Sequence, residues 1–216
     1  GIGRMTVAAL DFSAAFIQNI ALLMNHPLIW AKSWEKGFEA FADPRIAAKF
    51  LSKPDSIVAG RALVRNGGLL QETEFFQPLG GLQRLISKTP WVGKSAERVI
   101  QETYGRAAAS FYTTRTVAAI DLWKALGPTA AKAGAEQELA QFINISTGFF
   151  SMRGLGWSAN TQAALSGFAF FAPRYTMASA SLLASVGKGG YTGKLAREAI
   201  SSMALGGIAV YIGTAT

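Results

Sequence analysis

The chain has 216 residues, half of them hydrophobic, 16% charged, with a net charge of +8. That length suits one large domain or two small ones, and charge well below the usual quarter points to extensive burial against core, partners or lipid. Cysteine is absent, which excludes disulfides, thiolate metal sites and cysteine nucleophiles.

Helical spacing dominates, and alternation of period two bounded by turn residues is nearly missing, so an all-α fold is expected. Phe12, Phe16, Ile20 and Leu23 recur at spacings of four and three, predicting a first helix over 11–25 with Asp11 or Ser13 as its cap. Pro27 opens a second, amphipathic helix with Ile29, Trp30, Trp34, Phe38 and Phe41 on one stripe. Asp43 then offers a cap and Pro44 a first helical residue. Pro54 starts another helix that ends near Asn66, Gly67 and Gly68. From Gly93 to Leu126 the pattern fits one long helix, with Ser95 as cap and Gly127-Pro128 as its stop. A further helix ends at Gly148, and two more, over 158–171 and 173–186, meet at Ala172-Pro173. Thr192 is the expected cap of the last helix. The reading is one α-helical domain over 1–216, a multi-helix bundle with one long central helix and a Pro-bent apolar helix pair near the C-terminus. Residues 1–66 stand out as a semi-independent subregion, and the whole reads as a piece of a longer polypeptide.

Motifs that would carry chemistry are weak. Gly93-Lys94-Ser95 resembles the end of a P-loop, but Lys88 stands where the first glycine is needed, and no strand precedes it. Gly154, Gly156 and Ala159 fit a loose dinucleotide fingerprint that also lacks its strand. His26 is the single histidine and sits before Pro27 with no acid beside it in sequence. Glu35 and Glu39 share a helix face with Lys32 and Lys36 nearby, as on a solvated surface. Glu136 and Glu138, like Glu72 and Glu74, are two apart and point to different sides of a helix. No metal pattern, cofactor motif or catalytic constellation is found, and a non-enzymatic role is expected.

The run from Gly167 to Val186 is long enough to cross a bilayer, but Arg174 falls at its centre, where it would cost roughly 3 kcal/mol. Pro173 removes a helix hydrogen bond beside it. Both favour a bend between buried helices, with Arg174 reaching carbonyls freed at the end of the preceding helix. The second apolar run, Ala199 to Gly213, is short and contains Gly206-Gly207, a pair suited to close helix packing. No acid occurs between Glu138 and Glu198, whereas Lys188, Lys194 and Arg197 do, marking those three cations as contacts for DNA or anionic lipid.

Four stretches, in order, carry a resemblance: "ALDFSAAFIQNIALLMNHPLIWAKSWEKGFEAF", "PWVGKSAERVIQETYGRAAASFYTTRTVAAIDLW", "FINISTG" followed by "RGLG", and "FAFFAPRYTMASASLL". Together they resemble the helical region of large polyvalent phage proteins, a group that includes internal virion and DNA-ejection proteins. The resemblance marks Asn144, Thr147, Gly148, Arg153, Gly154, Phe171, Pro173, Arg174 and Tyr175 as its motif residues. Two departures stand out. Four residues separate Gly148 from Arg153 where the family has a compact turn, and Ala172 replaces the usual serine. The resemblance implies a virion protein lodged in the capsid or portal region and delivered to the host envelope with the genome. Its implied partners are other copies of itself, other ejection proteins, portal or tail proteins, phage DNA and the host inner membrane. Two alternatives stay open: a non-catalytic part of a large virion enzyme, and a cellular membrane protein with hairpin helices.

Overall fold

The computed structural model describes residues 20–70, 94–148 and 180–215. These are mainly helical, with no strand among the described residues. In chain order they are α1 (Ile20–Asn25), α2 (Pro27–Ala42), α3 (Ile46–Leu51), α4 (Pro54–Arg65), α5 (Lys94–Lys132), α6 (Glu136–Ser146) and α7 (Gly190–Ala215), with a further helical stretch at 180–186.

Helix α5 is the axis. Every residue from Ala107 to Trp123 is buried, over about 25 Å of helix. A surface helix would bury only a stripe, so this stretch is covered on all sides. Its composition permits that. Ala107, Ala108, Ala109, Ser110, Ala118 and Ala119 are small enough for neighbouring backbones to come close. Helix α2 does so at Gly37, where an added Cβ would collide with Thr114 Oγ1 and lie 3.2 Å from the Ser110 carbonyl oxygen. Where α5 carries larger side chains, they join the main core. Val117, Ile120 and Leu122 meet Leu63 of α4, Leu139 and Ile143 of α6, and Leu195 of α7, all nearly or fully buried. Burial of each such side chain contributes about 2 kcal/mol. A smaller cluster joins Trp34 to Ala107 and Phe111, with Trp30 and Phe41 packed against it.

Two of the hydroxyls in this dry stretch are satisfied locally, while that of Thr116 is buried without a partner among the described residues. Thr113 donates to the Ala109 carbonyl at 2.7 Å and Thr114 to that of Ser110 at 3.0 Å. Such back-bonding lets threonine sit inside a buried helix without an orphaned hydroxyl.

Several predicted boundaries need correction. Gly127-Pro128 does not end α5, because Pro128 lies inside it and the helix runs on to Lys132. Proline lacks the donor for one helix bond, but burial holds the extra turn in place: Trp123 packs beside Gly127, and Ala130 is fully buried. The stop comes at Gly134, whose φ of +63° favours glycine. There Gly134 N–H donates to the Ala131 carbonyl and Ala135 N–H to that of Ala130, closing the end in a Schellman pair. Ser95 lies within α5 rather than capping it. Pro44 belongs to a turn, and α3 begins two residues later. Asp43 Oδ1 accepts from the Arg45 backbone N–H at 3.1 Å, a local turn that delays the helix.

The starts at Pro27 and Pro54 are where the sequence places them. The end of α4 is as well: Gly67 N–H donates to Val64 O, and Gly68 N–H to Leu63 O. Gly206 also behaves as expected. It lies inside α7, and a Cβ there would come within 2.5 Å of Met24 Sδ, so α1 and α7 touch closely. Among the described residues no helix is long and apolar enough to cross a membrane. The predicted bend at Ala172-Pro173 lies outside the described residues.

Candidate functional site

The last carbonyls of a helix have no partner within it and carry the negative end of its dipole. In this protein arginines from elsewhere meet them three times. Arg106, on α5, donates through Nη1 to Phe41 O and Ala42 O at the end of α2, at 3.3 and 3.1 Å. Arg115, nine residues further along α5, donates through Nε to Thr147 O at 2.9 Å and through Nη2 to Gly148 O, at the end of α6. Arg197, on α7, donates through Nη1 to Val186 O and Lys188 O, at 3.0 and 3.1 Å, just after the stretch 180–186.

Arg115 is the most consequential of the three because it is 5% exposed. A buried guanidinium is costly unless its donors are used. Its planar fork reaches two successive carbonyls, which a lysine could not match. Gly148 makes room: its φ is +70°, and an added Cβ would come within 2.5 Å of Arg115 Nη2. Thr147, fully buried, turns its own hydroxyl back to Ile143 O at 2.7 Å.

One turn earlier, Asn144 works on the other side of the same helix end. Its Oδ1 accepts from Leu69 N–H at 2.8 Å, and its Nδ2 donates to Gly67 O at 2.9 Å. A single side-chain amide thereby fixes the chain leaving α4 against α6. The start of α6 reaches forward instead. Glu138 Oε2 accepts from Thr192 N–H at 2.8 Å, in the first turn of α7. Thr192 is therefore not the cap that its sequence position suggests. Its N–H is capped by the distant carboxylate, and its own hydroxyl donates to Glu138 O at 3.2 Å.

A second polar group lies further along α5. Asp121, buried on the axis, holds Lys32 Nζ of α2 at 2.7 Å and Lys124 at 3.6 Å. Lys124 also reaches Asp55 of α4 at 2.5 Å. The ammonium groups of Lys32, Lys53 and Lys124 all lie between 5.6 and 6.0 Å from the ring centre of Phe50. This cluster ties α2, α3, α4 and α5 together. Lys36 bonds Glu39 at 2.5 Å and Glu35 at 3.2 Å, the solvated pairing read from the sequence.

Of the motif residues marked by the resemblance, Asn144, Thr147 and Gly148 are brought together at the end of α6. Arg153, Gly154, Phe171, Pro173, Arg174 and Tyr175 lie outside the described residues. Lys188 is exposed, and Lys194 faces Glu198 at 3.9 Å. Arg197 is engaged with carbonyls as described. The helical pattern from Gly93 to Leu126 gave Arg115 no role. The usable signal was a lone cation inside a run with no acid from Ala107 to Ile120. Glu138 gave no such signal, because its partner is 54 residues away.

These elements define an all-α protein whose polar side chains mainly join helix ends, and no group of three histidines or carboxylates converges as a metal site among the described residues. Comparison with family models, curated proteins and solved structures finds no match to the chain.

Proposed function

We propose that the chain is a structural, non-enzymatic segment of a bacteriophage internal virion protein of the DNA-ejection type. The observation that carries this reading is the convergence of three of the four stretches behind the resemblance. The first supplies α2, which packs along α5, the helix of the second. The third supplies Asn144, Thr147 and Gly148, held by Arg115 from the second. Stretches far apart in sequence thus depend on one another in the fold, which supports reading them as one inherited unit.

The construction suits a protein that is packed in a capsid, passes a narrow portal and tail, and refolds beyond it. Its helices form from local contacts, which favours fast folding. Its long-range ties are apolar packing, hydrogen bonds and ion pairs, which re-form without an oxidant. In this reading the chain assembles with its own copies or other ejection proteins, and meets portal or tail proteins, phage DNA and the host inner membrane.

The test is the protein content of purified particles of the encoding phage, before and after triggered DNA release. The parent chain is expected in full particles and missing from emptied ones. Its retention in emptied particles would make it a fixed portal or tail part, and its absence from both would end the virion reading.

A further inference from the structure

Helix α4 turns a mixed apolar and cationic face outward. Ile57, Val58 and Val64 are 38, 69 and 52% exposed, values high for β-branched residues on one short helix. Arg61 and Arg65 are exposed beside them. At 100° per residue, Ile57, Arg61, Val64 and Arg65 fall within about 100° of the helix circumference. The opposite side, with Ser56, Ala59, Gly60 and Leu63, is buried. Next to the outward face runs an apolar groove of about 390 Å³, lined by Leu51, Gly60 and Leu70 and flanked by both arginines.

The charge on this face is of one sign. Neither arginine is in an ion pair with a described acid. Asp55, the one acid on α4, is turned to Lys124 on the flank. Lys53, exposed just before the helix, adds a third cation.

We propose that this face of α4 docks the protein on an anionic lipid surface. A bilayer interface offers both of the layers the face needs. Phosphates lie at the depth that long arginine side chains reach, and acyl chains lie below for the isoleucine and valines. A nucleic-acid backbone would use the cations but leave the three apolar side chains without apolar surroundings. A second copy pairing through the same face would bring Arg61 and Arg65 against like charges. No spanning helix is required, since the helix lies in the plane of the interface. The inference stands on α4 alone and does not depend on the virion reading.

The test uses the full 216-residue chain and co-sedimentation with vesicles. Two compositions are compared: phosphatidylcholine alone, and phosphatidylcholine mixed with phosphatidylglycerol. Binding is expected only to the mixed vesicles, and weaker in high salt. R61Q/R65Q should lower the partition coefficient about thirtyfold, the loss of two surface cations. I57S/V64S should weaken binding that persists in high salt. Both pairs are exposed, so helical circular dichroism should be unchanged and serves as the folding control. K188Q/K194Q removes equal charge elsewhere and should cost less. The proposal is overturned by equal binding to neutral vesicles, by unchanged binding in R61Q/R65Q, or by a loss in K188Q/K194Q as large as in R61Q/R65Q. It is also overturned if I57S/V64S disrupts a dimer of the chain and leaves vesicle binding intact.

Discussion

Arg115, buried near the middle of α5, holds the end of α6 by donating to the carbonyl oxygens of Thr147 and Gly148. The contact joins residues more than thirty positions apart and adds donors to a helix end that the local turn at Gly148 also closes. Replacing Arg115 by alanine should leave both carbonyls buried without these donors and cost about 3 kcal/mol. R115K keeps the charge but cannot fork, and should recover only part of that. G148A should be destabilising by more than about 1 kcal/mol, since it adds strain at positive φ to a collision with the guanidinium. Urea midpoints of the three variants check the order. An R115K midpoint equal to that of the parent would show that the fork geometry has no importance.

Asn144 uses both ends of its amide, and the two substitutions closest to it separate them. N144D can still accept from Leu69 N–H but cannot donate to Gly67 O, and it sets a negative charge against that carbonyl. N144A loses both bonds and should cost about 1–2 kcal/mol. Amide hydrogen exchange at Leu69 is the direct readout. Protection should fall in N144A and persist in N144D, even though N144D is also destabilised overall.

The closeness of α2 to α5 depends on Gly37 facing Thr114. G37A should therefore destabilise by about 2 kcal/mol through overpacking. T114A removes the hydroxyl that a new Cβ would strike, so the double variant should be more stable than the sum of the single losses predicts. A coupling of at least about 0.5 kcal/mol is expected from the double-mutant cycle. Strict additivity would mean that the helices separate freely at this point.

Two parts of the pH profile follow from named groups. Burial lowers the His26 pKa from 6.5, opposed by the nearby Glu198 carboxylate. The unfolded chain therefore binds the proton more readily. This contribution to stability is complete above about pH 6.5 and is lost as pH falls through the depressed folded value. The Arg45 side chain, with Lys49 and the Arg45 backbone N–H, holds Asp43 well below the usual carboxylate range, and Lys124 lowers Asp55. Their contribution is present above about pH 4 and is lost on further acidification. H26N should flatten the first fall and leave the second. D43N/D55N should do the reverse. Thermal unfolding between pH 3 and 8 decides between these patterns.

The sequence by itself determined the helical class and much of its punctuation. Pro27 and Pro54 start helices because proline tolerates a first turn, and Gly67-Gly68 and Gly148 end them because the closing turn is local chemistry. The same local logic failed at Gly127-Pro128, where burial of Ala130 outweighs one missing hydrogen bond. That α5 is one long helix was legible, but its burial on all sides was not, since periodicity cannot count the neighbours around a helix. The site was half visible. Asn144, Thr147 and Gly148 stood out as a motif, while the donors that give them meaning did not. Arg115 and the Gly67–Leu69 turn reach that helix end only through folding, and Glu138 meets Thr192 the same way. Helix starts and stops are set by interactions within a few residues. Which helix end receives which arginine, carboxylate or amide is set by packing between distant segments, and only the tertiary structure fixes it.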